Sequence, residues 1–176
     1  MLRRAFSAAA IRTARKAAVT ALAPLVEGSR TRLNGIPDSA WLDPYLVGFM
    51  VMLITITARR KVVWLQNEAL CSVQSQAWHE ITGVAHVPVG EETLLLDTAR
   101  HRQFELGQQH ALVLDRHLFG GAAVNGEEWH GMVGVDDVVS GDDVAGQIDR
   151  RAAVTAIWSD TFDAYVAQLP LAKPYP

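Results

Sequence analysis

Cysteine is nearly absent from this chain: Cys71 is the only one among 176 residues. One thiol excludes an intramolecular disulfide and a four-cysteine zinc site within a single chain, which sets aside the small stapled scaffolds of secreted proteins. Acid is missing from the start, where no Asp or Glu precedes Glu27. Also missing is any phosphate loop, dinucleotide-binding glycine fingerprint, nucleophile elbow or zinc-protease helix motif. No internal repeat and no long low-complexity segment occurs. What is present is an ordinary globular composition, 49% hydrophobic and 20% charged, too apolar for a chain that stays disordered. At this length one domain is the default, with a core that needs no staples.

The net charge of -3 conceals two halves of opposite sign. Residues 1–33 carry seven basic side chains against one acid, a net of +6, and the remainder holds nine basic and eighteen acidic residues, a net of -9. The division predicts a basic N-terminal amphipathic segment over 1–33, acting as an arm or targeting segment, and a single helical domain over 34–176. Mutual attraction between head and body is the plainest reason for the asymmetry. Along residues 1–17, Arg4, Arg12, Arg15 and Lys16 fall on one side of a helix. Leu2, Phe6, Ala10 and Ala17 fall on the other, while Arg3 and Ile11 sit on the wrong sides. Val19, Leu22, Leu25 and Val26 then project toward the earlier basic face, so either a break in the helix or separate roles for its two stripes are expected. The Arg-rich, acid-poor head, with its Arg4-Ala5-Phe6-Ser7 stretch, resembles a mitochondrial presequence, which would imply removal after import. The two other roles weighed for it are a membrane-surface arm and an ordinary packed first helix, and the last is adopted.

Asp43 followed by Pro44 marks a helix start, since the carboxylate caps and proline lacks only an N–H that would be idle in the first turn. Pro44 to Ala58 runs fifteen residues without a charge and is apolar on every side, closed by Arg59, Arg60 and Lys61. Such a helix lies in a core or in lipid. Fifteen residues reach about 22 Å, short of the roughly 30 Å hydrocarbon layer, so a buried core helix is predicted. An amphipathic helix is expected over Leu65 to Thr82 with Gly83 as terminator, and a connector over Val84 to Gly90. Thr93 to Phe119 predicts a pair of helices interrupted at Gly107, with a strand at Ala111 to Leu114 as the alternative. Gly120 to Gly146, with seven glycines and six acids, reads as a long Gly/Asp-rich loop. A final helix runs from Asp142 or Asp143 to Leu169, with Trp158, Phe162 and Val166 inward and Asp149, Asp160 and Asp163 outward. The expected fold is all-α: a compact helical domain of about five or six helices around a buried apolar helix.

Candidate chemistry is sparse. His101 with Glu105, and His110 with His117, have spacings that share a helix face and suit a divalent metal completed from a neighbouring helix. Arg100, Arg102 and Arg116 oppose a cation there, and no metal or other cofactor is favoured. Glu127, Glu128 and His130, beside Trp129, offer a general acid and base in the glycine-rich loop. Asp136, Asp137, Asp142 and Asp143 lack the alternation of a calcium loop. Cys71 and His79 point apart, so a buried inert thiol is expected. The head residues Arg3, Arg4, Arg12, Arg15 and Lys16 are the interaction candidates. Together these lead to a non-enzymatic helical binding or adaptor protein in the cytoplasm, with an unknown protein partner and with self-association open. The rivals are a helical enzyme using His and Glu or Asp side chains, with or without metal, and a small membrane-attached protein; a mitochondrial or membrane-associated location goes with them. Nucleic acid is disfavoured because the body is acidic and no recognition motif occurs.

Overall fold

The computed structural model describes residues 2–84, 89–118 and 152–169, with side chains for 8–84, 93–117 and 152–169. Gly120 to Gly146, Asp149, His86 and the C-terminal prolines lie outside the described residues, as do the side chains of Arg3 and Arg4. The helices are α1 (Leu2–Arg32), α2 (Pro44–Lys61), α3 (Asn67–Thr82), α4 (Val89–Thr98), α5 (Arg102–Leu118) and α6 (152–168), with a 3₁₀ turn at Asp38–Leu42 before α2. The fold is all-helical, with no strand among the described residues, and Ala111 to Leu114 is helix.

α2 is the centre. The Asp43 carboxylate accepts from the backbone N–H groups of Tyr45 (2.9 Å) and Leu46 (3.3 Å), and Pro44 opens the helix as its sequence position implies. Tyr45, Leu46, Val47, Gly48 and Val51 are buried on different sides of it, because α1, α3 and α5 pack around it. No helix among the described residues is long and apolar enough to cross a membrane. α2 and α5 cross through two glycines. A Cβ on Gly48 would lie 2.3 Å from the Phe104 carbonyl oxygen, and one on Gly107 would lie 2.2 Å from that of Tyr45. Backbone therefore meets backbone, and no side chain fits at either point.

Gly107 thus corrects the sequence reading. It lies within α5, and the helix break falls at Arg100, whose φ of +48° ends α4 while the His101 N–H bonds to the Leu96 carbonyl at 2.9 Å. An arginine fills the left-handed position that usually attracts glycine. α4 also starts at Val89, inside the expected connector. Gly83, at φ +77°, does close α3 by the left-handed cap, its N–H bonding to the His79 carbonyl.

α1 is unbroken, and it carries Pro24 within it. Its buried residues Ala10, Ala14, Ala18, Leu22 and Val26 recur every four positions. That spacing drifts by about 40° per step, so the buried stripe winds around the helix. Winding, with α3 and α2 both packed on α1, absorbs the azimuth change that suggested a break. Three small alanines let the neighbours approach closely in the first half.

α6 contains a π-helical stretch, Ser159–Asp163, between two α-helical ones. The wider turn holds an extra residue and shifts the register of the helix beyond it. Trp158 and Phe162 stack at 4.6 Å between ring centroids, and Asp163 turns inward to 6% exposure. The outward placement expected for Asp163 is therefore wrong. Trp41, Trp78, Phe49, Trp158 and Phe162 form a contiguous aromatic chain through the core. Cys71 corrects a second expectation, being exposed. It shares an azimuth with buried Trp78, but that side of α3 is covered only toward its C-terminal end, where Trp41 meets Trp78 edge-on.

Candidate functional site

α1 and α2 run antiparallel, so the first half of α1 lies beside the last turn of α2. Arg12, Thr13, Lys16, Ala17, Thr20 and Ala21 recur on one face of α1 and meet Thr57, Arg60 and Lys61 across an open groove of about 640 Å³. Small residues on α1 leave the floor empty, and cations and hydroxyls form the walls. Four cationic side chains line the groove, and among the described residues no carboxylate does. Local forces favour part of this arrangement, because Arg59, Arg60 and Lys61 occupy the last turn of α2, where the helix dipole is negative.

Two details distinguish the groove from an ordinary basic surface. Arg60 is held by Asp115 of α5 through two parallel hydrogen bonds, Nε to Oδ1 at 3.1 Å and Nη2 to Oδ2 at 2.8 Å. A two-pronged, half-buried pair of this kind fixes the guanidinium in one orientation. Deeper in the wall, Thr57 is 5% exposed and its Oγ1 has no hydrogen-bond partner. A buried hydroxyl left unmatched costs about 1–3 kcal/mol unless a ligand or water completes it.

The other head cations with described side chains have internal work. Arg15 pairs with Glu80 of α3 at 2.9 Å and reaches Gln76 at 3.4 Å, so it leaves the groove. Arg30 donates to the Thr82 carbonyl at 2.5 Å and caps α3. Arg32 Nε bonds Asp163 Oδ2 at 2.6 Å, where Ser29 Oγ also donates to the same carboxylate and accepts from Trp158 Nε1 at 2.7 Å. Of the interaction candidates, Arg12 and Lys16 are brought together with Arg60 and Lys61.

A second cleft, about 490 Å³, lies beside α5 and α6 and is lined by Tyr45, His110, Asp160 and Tyr165 among others. Tyr45 and Tyr165 stack at 3.9 Å; the Tyr45 hydroxyl meets His110 Nδ1 at 2.9 Å, and the Tyr165 hydroxyl donates to Asp43 Oδ1 at 2.9 Å. Burial, and then the Asp43 charge, push the Tyr45 hydroxyl up to about 12. Tyr165 is raised further, first by burial and then by its hydrogen bond to Asp43. Both rings therefore keep their protons at neutral pH and act as hydrogen-bonding groups, with no phenolate available as a base.

The metal candidates do not converge. His101 precedes α5, Glu105 and His117 are exposed, His117 Nδ1 contacts the Val113 carbonyl, and His110 is engaged with Tyr45. Among the described residues no three His, Cys, Asp or Glu side chains are placed to hold a metal ion. Glu127, Glu128 and His130 lie outside the described residues. Sequence reasoning missed Thr57, Arg60 and Lys61 as site residues. The Arg59-Arg60-Lys61 run was visible as the end of α2, but its meeting with Arg12 and Lys16, over forty positions earlier, required the antiparallel packing. No family model matches this chain, and neither a curated protein nor a solved structure shows significant similarity to it.

Proposed function

We propose that this chain is a non-enzymatic binding protein of the adaptor kind, which engages an acidic partner through the α1–α2 groove. The observation that carries the reading is the gathering of Arg12, Lys16, Arg60 and Lys61 around one open groove without a lining carboxylate. Like charges brought together raise the free energy of the unliganded protein, and an anion placed among them relieves it. Arg15, Arg30 and Arg32 are taken up by pairs elsewhere in the fold, and within the groove Arg60 is paired with Asp115.

Poly-L-glutamate is the test probe. The full chain binds it at low ionic strength, and affinity falls steadily with added salt, as exposed charges become screened beyond about 8 Å at physiological ionic strength. Lys16→Glu/Lys61→Glu abolishes this binding while leaving the unfolding free energy within about 0.5 kcal/mol of the parent, since both lysines are exposed. Equal binding by parent and double variant would assign the interaction to another surface and end this reading.

A further inference from the structure

Immediately after Lys61 the chain makes a tight turn, with the Leu65 N–H bonded to the Val62 carbonyl at 3.3 Å. At its tip Val63 is 52% and Trp64 is 67% exposed, an uncommon position for an indole on a protein with three other tryptophans fully packed. Because α1 and α2 are antiparallel across the groove, this turn lies at the end toward which the first turns of α1 run. Those turns carry Arg3 and Arg4 in the sequence and no acid.

We infer that the cationic groove and the Val63–Trp64 turn together form a docking surface for an anionic phospholipid membrane. A headgroup phosphate would sit among Lys16, Thr57 and Lys61, with the Trp64 ring in the interfacial layer. The inference rests on the binding function proposed above and names its partner.

Three observations select lipid over an acidic peptide. The first is the pairing of cations with an exposed indole, since tryptophan favours the boundary between headgroups and acyl chains, whereas an acidic peptide offers no apolar layer to receive it. The second is the buried Thr57 Oγ1, a donor without a partner in the groove wall, which suits a phosphate oxygen. The third is Arg12, an exposed arginine on the groove wall whose planar guanidinium suits phosphate. The attachment is peripheral, because α2 is consumed by the core.

Cosedimentation of the full chain with vesicles tests this. Vesicles of phosphatidylserine and phosphatidylcholine should bind the protein and release it in high salt, while phosphatidylcholine alone should not bind. Each cation near an anionic surface contributes about fivefold in affinity, so Lys16→Glu/Lys61→Glu should weaken vesicle binding by about 25-fold or more. The milder Lys16→Gln/Lys61→Gln should show the same direction. Trp64→Ala should cost about tenfold, and the blue shift of tryptophan emission on adding vesicles should vanish with it. Binding to poly-L-glutamate without binding to serine-containing vesicles would overturn the lipid assignment and leave the groove function standing. Failure with both probes would overturn both. Vesicle binding indifferent to the lysine substitutions, or unchanged in affinity and emission by Trp64→Ala, would equally remove this surface as the dock.

Discussion

Where α6 lies across the α1–α2 pair, polar groups are matched: Asp163 receives both Ser29 and Arg32, Ser29 in turn receives the Trp158 indole, and Tyr165 closes on Asp43. At the other end of the same two helices, cations gather around a groove without a lining carboxylate, and a buried hydroxyl has no partner. α1 supplies cations to both ends, so composition alone does not separate structural charge from available charge. Packing does, by bringing the Asp163 carboxylate to Arg32 at one end and a second group of cations to Arg12 and Lys16 at the other, where Asp115 engages Arg60. The matched end stabilises the fold, and the unmatched end is the one that the proposed binding would use.

The strongest way to break this contrast is to part α2 from α5, because α5 carries His110 to the matched end and Asp115 to the groove. Gly107→Ala places a methyl 2.2 Å from the Tyr45 carbonyl oxygen. It should lower unfolding free energy by about 3 kcal/mol, as overpacking against rigid backbone does. Chemical denaturation measures it, and a loss below about 0.5 kcal/mol would show that the crossing is looser than described. Next in size is Asp163→Ala, which strands Arg32 and Ser29. Partial exposure of Arg32 lets water offset some of the loss, leaving about 2 kcal/mol. Binding to poly-L-glutamate should be untouched, and a parallel loss of binding would join the two ends into one unit.

The tyrosine pair gives a third effect, confined to alkaline solution. Folding raises the Tyr45 hydroxyl from 10.0 to about 12 and moves Tyr165 the same way, so the folded state holds these protons more tightly than the unfolded chain. The associated stability is complete below pH 10 and disappears as pH rises through about 12. Ultraviolet titration should show delayed phenol ionisation followed by cooperative unfolding, and Tyr165→Phe should blunt that alkaline loss. Ionisation of all three tyrosines near pH 10 in the folded protein would contradict the packing of this pair. Smallest in stability is Thr57→Val, which removes the unmatched hydroxyl at nearly constant volume. Stability should hold or rise by up to about 1 kcal/mol, while affinity for serine-containing vesicles declines. A marked destabilisation would mean that Thr57 has a partner in the folded protein.

Much of the architecture was legible because local chemistry and burial agree. Asp43-Pro44 announces the start of α2, its apolar circumference announces its central place, and Gly83 announces the end of α3. Errors arose where tertiary contact overrides the local signal. Gly107 resembles a breaker, yet its missing side chain serves a helix crossing, and Arg100 takes the left-handed turn in its stead. Asp163 has the pattern of a surface residue until a π-helical turn rotates it toward Ser29 and Arg32. For the groove, half of each wall was visible: Arg12 and Lys16 as one face, Arg59-Arg60-Lys61 as a basic run. Nothing in either segment specifies that they meet, since that depends on the antiparallel course of α1 along α2. Arg15 shows the converse, a residue of the same stripe diverted by Glu80.

The π-helical turn also makes α6 unusually sensitive to its own regularisation. Closing Ser159–Asp163 into regular α geometry with every residue kept would be an improvement by every local measure. The same closure would rotate Ala164–Gln168 by about 100° against the body and carry Tyr165 off Tyr45, whereas deleting one residue from the turn would keep that segment in phase. The irregular turn is therefore a spacer, and its extra residue sets the phase between two side-chain contacts that a perfect helix of this sequence could not make together.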